Sequence, residues 1–234
     1  MNLTPERIQE SFGICITNEQ IDKILHHTYK VMQKNEYINL TRITDIDDAI
    51  EYHIMDSLSA VPFISECLKG EYLDLGTGGG YPGIPLAIAT GRKGVLLDAT
   101  KKKIVAVQEF IDELGLQNQI ETVSERAEEY ALERPEYFTA VVVRAVAKTP
   151  VLLELASPLL CKGGRLIVMK GDPQEDELRD AKRVSSIVGM KQIEESRFTL
   201  GPEEKKRTIL VYEKIKKPKI RLPRNTGMAQ HHPL

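Results

Sequence analysis

The chain has 234 residues, 41% of them hydrophobic, so it can bury one substantial core, and we expect one main domain with additions at its ends. The net charge of -2 excludes a uniformly basic surface, yet residues 214–224 hold six bases and no acid, which favours local contact with a polyanion. The three cysteines are far apart, and no run of about 18 apolar residues or signal-like start occurs, so we expect a cytoplasmic protein without zinc, disulfides or membrane partner.

The first predicted helix begins after Thr17. Thr17 and Gln20 have the spacing of a capping box, and apolar residues then recur at helical spacing. We expect this helix to cover one side of the core, with His26 and His27 on its exposed surface.

A second helical stretch lies within residues 39–58. Asp45 or Asp47 can cap it, and its apolar residues form a stripe. His53 and Asp56 are three residues apart, so they share one face beside that stripe and can hydrogen-bond. The pair is either a functional rim or a local polar contact at a core edge.

Residues 71–83, EYLDLGTGGGYPG, predict a buried strand followed by a glycine-rich loop. The strand reaches Asp74, and the glycines that follow, including Gly76 and Gly78, suit backbone with positive φ that lies close to a ligand. A nucleoside cofactor is the expected ligand, and a ligand-free turn is the alternative.

The chemistry of this loop disfavours a dinucleotide. Pyrophosphate needs free N–H groups at a helix N-terminus, whereas Asp74 would repel it and Pro82 and Pro85 remove two donors. S-adenosylmethionine carries an ammonium and a sulfonium instead, and an acid at the strand end suits a cationic ligand.

Strand and helix signals alternate through the rest of the chain. Helices are predicted at 84–90, 101–114, from Thr149 as cap with Pro150 after it, and at 174–187. Strands are predicted at 94–99, 120–124, 138–143, 163–171, 191–199 and 208–215. This order predicts an α/β fold with a mostly parallel, seven-stranded sheet and helices on both faces.

Several polar residues follow predicted strands and would therefore meet at one edge of the sheet. Asp98 can accept hydrogen bonds from both ribose hydroxyls; a cap for the next helix is the weaker alternative, because Thr100 suits that role. The backbone at Ala127 and Glu128 would lie beside adenine. Arg144 would point into the cleft, with a structural salt bridge as the alternative. Lys170 ends the fifth strand on the same rim.

Basic residues near this rim are candidates for phosphate contact. Lys101, Lys102 and Lys103 occupy the first turn of a predicted helix, where they oppose the helix dipole. This placement suggests contact with an anion, although a solvated charge run explains it as well. Pro218 and Pro223 keep the basic tail extended, so it orders either on its polyanionic partner or along the domain surface.

The motifs together resemble one family. NLTRIT, HIMDS, DLGTGGGYPGIPLAI, VLLDATKKK, SERAEEY, VVVRAVA, MKG and the proline-containing basic tail are similar to those of the RsmG (GidB) family of bacterial small-subunit ribosomal RNA guanine-N7 methyltransferases. The resemblance implies a Rossmann-like class I methyltransferase fold with an N-terminal helical extension (1–69), a methyltransferase domain (70–215) and a tail (216–234).

The resemblance also implies the reaction and its partners. These are S-adenosylmethionine-dependent methylation of guanine N7 in 16S ribosomal RNA, at a guanine 527-type position of the 530 loop, by a monomer acting on the RNA or on an assembling small subunit. The implied cofactor-binding residues are Asp74, Gly76, Thr77, Gly78, Tyr81, Asp98, Ala127, Glu128 and Arg144.

Guanine N7 has a lone pair and no hydrogen, so we expect no catalytic base, and Arg144, His53 and Asp56 are the residues expected to hold and shape the reacting centre. The expected RNA contacts are Lys101, Lys102, Lys103, Arg126, Lys170, Arg221 and Arg224. A small-molecule methyltransferase and a cofactor-binding RNA chaperone remain alternatives, while a nicotinamide oxidoreductase is disfavoured by Asp74 and the prolines.

Overall fold

Seven strands form one sheet in the computed structural model, which describes residues 3–234. In chain order they are β1 Tyr72–Leu75, β2 Gly94–Leu97, β3 Ile120–Val123, β4 Phe138–Arg144, β5 Leu160–Lys170, β6 Met190–Leu200 and β7 Lys205–Lys214. The order across the sheet is β3-β2-β1-β4-β5-β7-β6. Strands β1 to β5 are parallel, and β7 is antiparallel to both β5 and β6. The predicted mostly parallel α/β sheet is therefore confirmed.

Helices precede, connect and follow these strands. They are α1 Pro5–Phe12, α2 Asn18–Asn35, α3 Ile46–Ala49, α4 Asp56–Leu58, α5 Val61–Ser65, α6 Gly83–Thr90, α7 Lys101–Glu113, α8 Ala127–Glu133, α9 Thr149–Ala156, α10 Glu175–Ile187 and α11 Met228–His231. A π-helical turn, Ile50–Met55, joins α3 to α4. Within residues 3–234, none of the helices has the length and apolar character that a bilayer crossing requires.

The sheet divides the interior into two cores because successive side chains of a strand point to opposite faces. On one face, Tyr72 and Leu96 pack with apolar residues of α2, α6, α7 and the other N-terminal helices. On the other face, Leu73 and Val95 pack with residues of α8, α9 and α10. Helices thus cover both faces, and the residues before β1 share one core with the sheet.

The N-terminal helices begin where their capping residues predict. Thr17 accepts a hydrogen bond from the Gln20 amide at 3.2 Å, and the Gln20 side chain accepts one from the Thr17 amide at 2.9 Å, which completes the capping box. Asp45, one of the two predicted caps, accepts hydrogen bonds from two amides at the start of α3.

Two predictions about helices are wrong. His27 is fully buried in α2, whereas its neighbour His26 is exposed, because the glycine-rich loop packs against this side of α2. Thr149 is the first residue of α9 instead of its cap, which is Lys148. The Thr149 amide and hydroxyl donate to Glu177 of α10 at 2.8 and 2.6 Å, so a distant carboxylate satisfies this helix end.

The tail runs along the domain surface, which is one of the two predicted alternatives. Arg224 contacts Glu154 of α9, Gly227 contacts Glu128 of α8, and Ala229 in α11 is buried. The sequence carries no helical signal for α11, whose four residues contact α9 and follow Gly227, which α8 holds through Glu128.

Candidate functional site

The strand order reverses at β1, with β2 and β3 on one side of it and β4 and β5 on the other. Such a switch point forms a crevice at the carboxyl edge of the sheet. The glycine-rich loop follows at this point. Gly76, Gly78 and Gly80 have φ of 81°, 59° and 94°, values that other residues rarely adopt. The loop therefore has the backbone conformation that the glycines predict.

Asp74 fixes this loop by hydrogen bonds on the side that faces away from the cavity described below. Its Oδ2 accepts hydrogen bonds from the Thr77 hydroxyl at 2.7 Å and from the Gly83 amide at 2.8 Å, while its Oδ1 is buried without a protein partner. Burial raises the pKa of Asp74 to about 6, against the lowering effect of these hydrogen bonds. Because Asp74 occupies the Gly83 amide at the start of α6, that helix end does not offer this donor to a phosphate.

A cavity of about 540 Å³ opens beside the loop. This volume lies within the usual range for small-ligand sites. Most of the predicted site residues line it: Gly76, Thr77, Gly78, Tyr81, Asp98, Ala127, Glu128, Arg144 and His53, together with Lys103 and Arg126. Asp74 is the exception among the predicted cofactor-binding residues, since its carboxylate lies behind the loop and does not line the cavity.

The carboxylate of Asp98 is fixed at the cavity wall. Oδ2 accepts a hydrogen bond from the Gly78 amide at 3.0 Å, and Oδ1 accepts one from the Thr100 amide at 2.8 Å. Thr100 makes no side-chain capping bond at the start of α7, although its amide donates to Asp98. A carboxylate has about four acceptor sites, so two remain for a ligand's hydroxyl groups.

Tyr81 forms the floor between the cavity and the N-terminal helices. Its hydroxyl donates to Thr28 of α2 at 2.8 Å, and its ring stacks on the His53 ring at 4.6 Å between centroids. The guanidinium of Arg144 lies over the same ring at 5.5 Å. Burial raises the pKa of Tyr81, so the phenol stays protonated at neutral pH.

The predicted direct hydrogen bond between His53 and Asp56 is wrong: Arg144 links them. Arg144 donates to Asp56 at 3.1 Å, to His53 Nδ1 at 3.2 Å and to the Tyr52 carbonyl at 3.0 Å. The π-helical turn carries Tyr52 and His53 immediately before Asp56, which brings all three acceptors to one guanidinium. Asp56 also accepts a hydrogen bond from Arg207 of β7 at 3.1 Å.

His53 is neutral in this arrangement. Desolvation first, and then the positive charge of Arg144, lower its pKa to about 3. Since Arg144 can only donate, Nδ1 is the acceptor, and Nε2–H donates to the Thr41 hydroxyl at 2.7 Å. Both ring nitrogens are thus engaged.

The predicted RNA-contacting residues divide into two groups. Lys101, Lys102, Arg126 and Arg221 are exposed, and Lys103 is half-buried at the cavity mouth. Lys170 instead pairs with Glu177 at 2.9 Å, and Arg224 pairs with both carboxylate oxygens of buried Glu154 at 2.6 and 2.7 Å. A role in RNA binding stays a prediction for all of them, and it requires Lys170 and Arg224 to leave these carboxylates.

Three features of the site carry no local sequence signal. Arg207, in β7 of the antiparallel pair β6–β7, forms an ion pair with Asp56. The ammonium nitrogen of Lys205 lies over the Tyr52 ring, 3.9 Å from the ring centre. Gly227, Ala229 and Gln230 of the tail line the main cavity. Within residues 3–234, no three His, Cys, Asp or Glu side chains are grouped to hold a metal ion.

Comparison with known proteins agrees with this geometry. The family model described as rRNA small subunit methyltransferase G (GidB) matches residues 20–208. Ribosomal RNA small subunit methyltransferase G of Desulfitobacterium hafniense is 35% identical over 97% of this chain and 94% of its own length. The enzyme of the same name from Acetivibrio thermocellus is 36% identical over 95% of this chain and 92% of its own length.

Solved structures of other methyltransferases share the fold of this chain. An O-methyltransferase from Bacillus cereus, solved in complex with SAH, aligns with a TM-score of 0.55 and 18% identity over 81% of this chain and 91% of that one. At this identity the likeness shows only a shared methyltransferase fold, whereas the family model and the relatives cover most of the sequence. The chain therefore belongs to the rRNA small subunit methyltransferase G family, and it is an S-adenosylmethionine-dependent methyltransferase of ribosomal RNA.

Proposed function

We propose that this chain methylates N7 of a guanine in 16S ribosomal RNA, at the 530-loop position that the family resemblance implies, and that the target base enters a second cavity beside the main one. This second cavity has a volume of about 430 Å³ and shares His53, Arg144 and Ala145 with the main cavity. Two adjacent cavities, one for a methyl donor and one for a purine, are what a bisubstrate transfer requires. Their shared boundary, here called the junction, is the observation that carries the proposal.

The second cavity, here called the base cavity, has walls suited to a purine edge. Arg144 and Arg207 both line it, and both are held by Asp56. An arginine can donate to O6 of guanine and leave N7 free to attack, and Tyr52 adds an aromatic surface. RNA bases become available to such a cavity when they are unstacked in a loop.

The backbone at the junction is strained. Ala145 has φ of 56°, in the left-handed region, directly after Arg144 ends β4. Such a conformation costs on the order of 1–3 kcal/mol for a residue other than glycine and is often found at functional sites. The strain turns the chain sharply where the two cavities meet, which supports a role for Arg144 between donor and acceptor.

Arg144 has donors left for a ligand. Three of its five N–H groups donate to Tyr52, Asp56 and His53. The remaining two can address either the carboxylate of the methyl donor or O6 of the base. Arg144 is thus the residue that we propose contacts the reacting partners, while His53 and Asp56 position it.

The reaction needs alignment more than proton transfer. S-adenosylmethionine supplies an electrophilic methyl group on a cationic sulfur, and guanine N7 attacks with its own lone pair. A neutral, doubly engaged His53 and an Asp56 held by two arginines do not serve as bases, and none is required. Holding two reactants in attack geometry can contribute about 7 to 11 kcal/mol.

For the donor, we propose contacts with the loop at Gly76, Thr77 and Gly78, ribose bonding to Asp98, and adenine beside Ala127 and Glu128. Asp74 is proposed to act through Thr77 and Gly83, since these are the groups it contacts. For RNA, the exposed Lys101, Lys102, Arg126 and Arg221 are proposed to bind phosphate. The substrate is 16S RNA or an assembling small subunit in the cytoplasm, and the enzyme acts as a monomer.

The proposal is tested on small subunits and on naked 16S RNA from cells that lack this protein, with labelled donor and chemical cleavage at N7-methylguanine. Arg144→Ala is expected to lower the methylation rate by about 100-fold, since a misplaced reactant costs this much. Arg134→Ala is the matched control, because Arg134 lies over Tyr137, away from the cavities. A wild-type product with the methyl group on another atom, or an Arg144→Ala rate equal to that of the control, would refute the proposal.

A further inference from the structure

The tail does more than follow the surface: part of it forms a wall of the main cavity. Gly227, Ala229 and Gln230 line this cavity together with the glycine-rich loop and Asp98. Ala229 is 2% exposed, so the tail is packed into the domain at this point. Residues 224–230 are here called the C-terminal clasp.

Carboxylates of the domain anchor the clasp at Arg224, Thr226 and Gly227. Arg224 donates through Nε and a terminal nitrogen to both oxygens of Glu154, which is 3% exposed in α9. The Gly227 amide donates to Glu128 at 2.8 Å, and the Thr226 hydroxyl donates to Glu129 at 3.1 Å. A bidentate arginine pair with a buried carboxylate is strong and directional, so the clasp has a defined position.

The anchors also locate the clasp relative to the donor. Glu128 and Glu129 lie in the first turn of α8, directly after the loop that follows β3. The loop after this strand is the proposed adenine side of the cavity, whereas the glycine-rich loop after β1 lies at the other side. The clasp therefore lies at the proposed adenosine end of the cavity, and none of its residues lines the base cavity.

We infer that the C-terminal clasp is part of the donor-binding site: it covers the adenosine moiety of S-adenosylmethionine and of the demethylated product, and the Arg224–Glu154 pair positions it. This inference rests on the proposed donor site. The contacts of Arg224 support it, because the guanidinium donates to buried Glu154 and to the His232 carbonyl at 2.8 Å, which holds the tail against the domain.

The first experiment releases the clasp without leaving a buried charge. The double variant Glu154→Gln with Arg224→Ala is compared with Asn225→Ala, which changes an exposed side chain of the same segment. Calorimetry measures affinity for S-adenosylmethionine, S-adenosylhomocysteine and methylthioadenosine, which lacks the amino-acid part. All three affinities are expected to fall by the same factor, about tenfold, with kcat at saturating donor nearly unchanged.

The second experiment uses the unmodified protein and so does not depend on the folding of a variant. Trypsin cleavage after Arg224 is followed by mass spectrometry with and without S-adenosylhomocysteine. Because binding and clasp closure favour each other reciprocally, saturating product is expected to slow this cleavage about fivefold or more. Cleavage after exposed Lys69, between α5 and β1, is the internal control.

The outcomes separate this inference from the proposed function. Unchanged affinities in a folded double variant, or a loss for the two full-length ligands but not for methylthioadenosine, would overturn the assignment to adenosine. Unaltered cleavage after Arg224 with bound product would overturn it independently. If donor affinity is kept while RNA methylation falls, the clasp serves RNA, so the inference fails and the proposed methyl transfer stands.

Discussion

At the scale of single residues, His27 ties the N-terminal helices to the glycine-rich loop. Its Nε2 lies 2.9 Å from the Gly79 carbonyl, which can only accept, so Nε2 carries the proton. Nδ1 is buried without a protein partner. Burial lowers the pKa of His27 to about 4, with neighbouring His26 adding to this effect against the hydrogen bond to Gly79. The folded protein thus holds a neutral histidine throughout the physiological pH range.

This burial predicts a pH dependence of stability. Below pH 6.5 the unfolded chain protonates His27, whereas the folded protein does not until about pH 4, so folding stability falls as pH drops through this window. The shift corresponds to roughly 3 kcal/mol. His53 acts in the same direction, while Asp74, with its pKa raised to about 6, opposes both between pH 6 and 4.

His27→Gln is expected to flatten this dependence, because glutamine can still donate to Gly79 but does not titrate. Urea unfolding between pH 7 and 4.5 measures it, and His26→Gln, the exposed neighbour, should retain the wild-type slope. Equal slopes for the two variants would show that His27 does not titrate as its burial requires.

At the scale of elements, the glycine-rich loop is shaped by what surrounds it. A Cβ on Gly80 would lie 2.7 Å from Ile84 and 2.9 Å from His27, and φ at this glycine is 94°. Gly91, which caps the C-terminus of α6, also has positive φ, but a Cβ there would meet nothing within 4 Å. The two glycines therefore share a backbone requirement and differ in their contacts.

This difference predicts the outcome of two alanine substitutions. Both Gly80→Ala and Gly91→Ala should lose about 1 kcal/mol or more of stability through the left-handed backbone. Only Gly80→Ala should also weaken binding of S-adenosylhomocysteine, since the loop must shift away from Ile84 and His27. Calorimetric affinity beside thermal unfolding separates the effects, and equal affinities for the two folded variants would contradict the argument.

The strands and most of the longer helices were predictable, but α1, α8 and α11 were not, and neither were several contacts between elements. Strand and helix order could be read because capping residues, glycines and apolar periods are local signals, as at Thr17 and Gly115, which has φ of 67°. The link from Arg144 to His53 joins residues 91 positions apart, and a π-helical turn sets it. The burial of His27 depends on a loop that packs on α2 from another part of the chain.

At the scale of the whole molecule, exposed basic residues lie at the same edge of the sheet as the two cavities. Lys101 and Lys102 begin α7 directly after β2, and Arg126 lies just after β3, so all three are at the carboxyl edge of parallel strands. Lys182 and Lys191 are also exposed, but Lys191 lies near the start of β6, at the opposite edge. Net charge of -2 over the chain does not show this asymmetry.

The asymmetry predicts how RNA affinity depends on salt. Each phosphate contact that releases a counterion from single-stranded RNA contributes about 0.7 to the slope of log affinity against log salt concentration. Lys101→Gln with Lys102→Gln should therefore reduce this slope by about 1.4 in binding titrations with the loop RNA, whereas Lys182→Gln with Lys191→Gln should not change it. The substitutions should leave affinity for S-adenosylhomocysteine intact, because neither Lys101 nor Lys102 lines the main cavity. An equal fall in slope for both double variants would show that RNA affinity depends on overall charge and not on this edge of the sheet. An unchanged slope for both would place the RNA elsewhere on the surface.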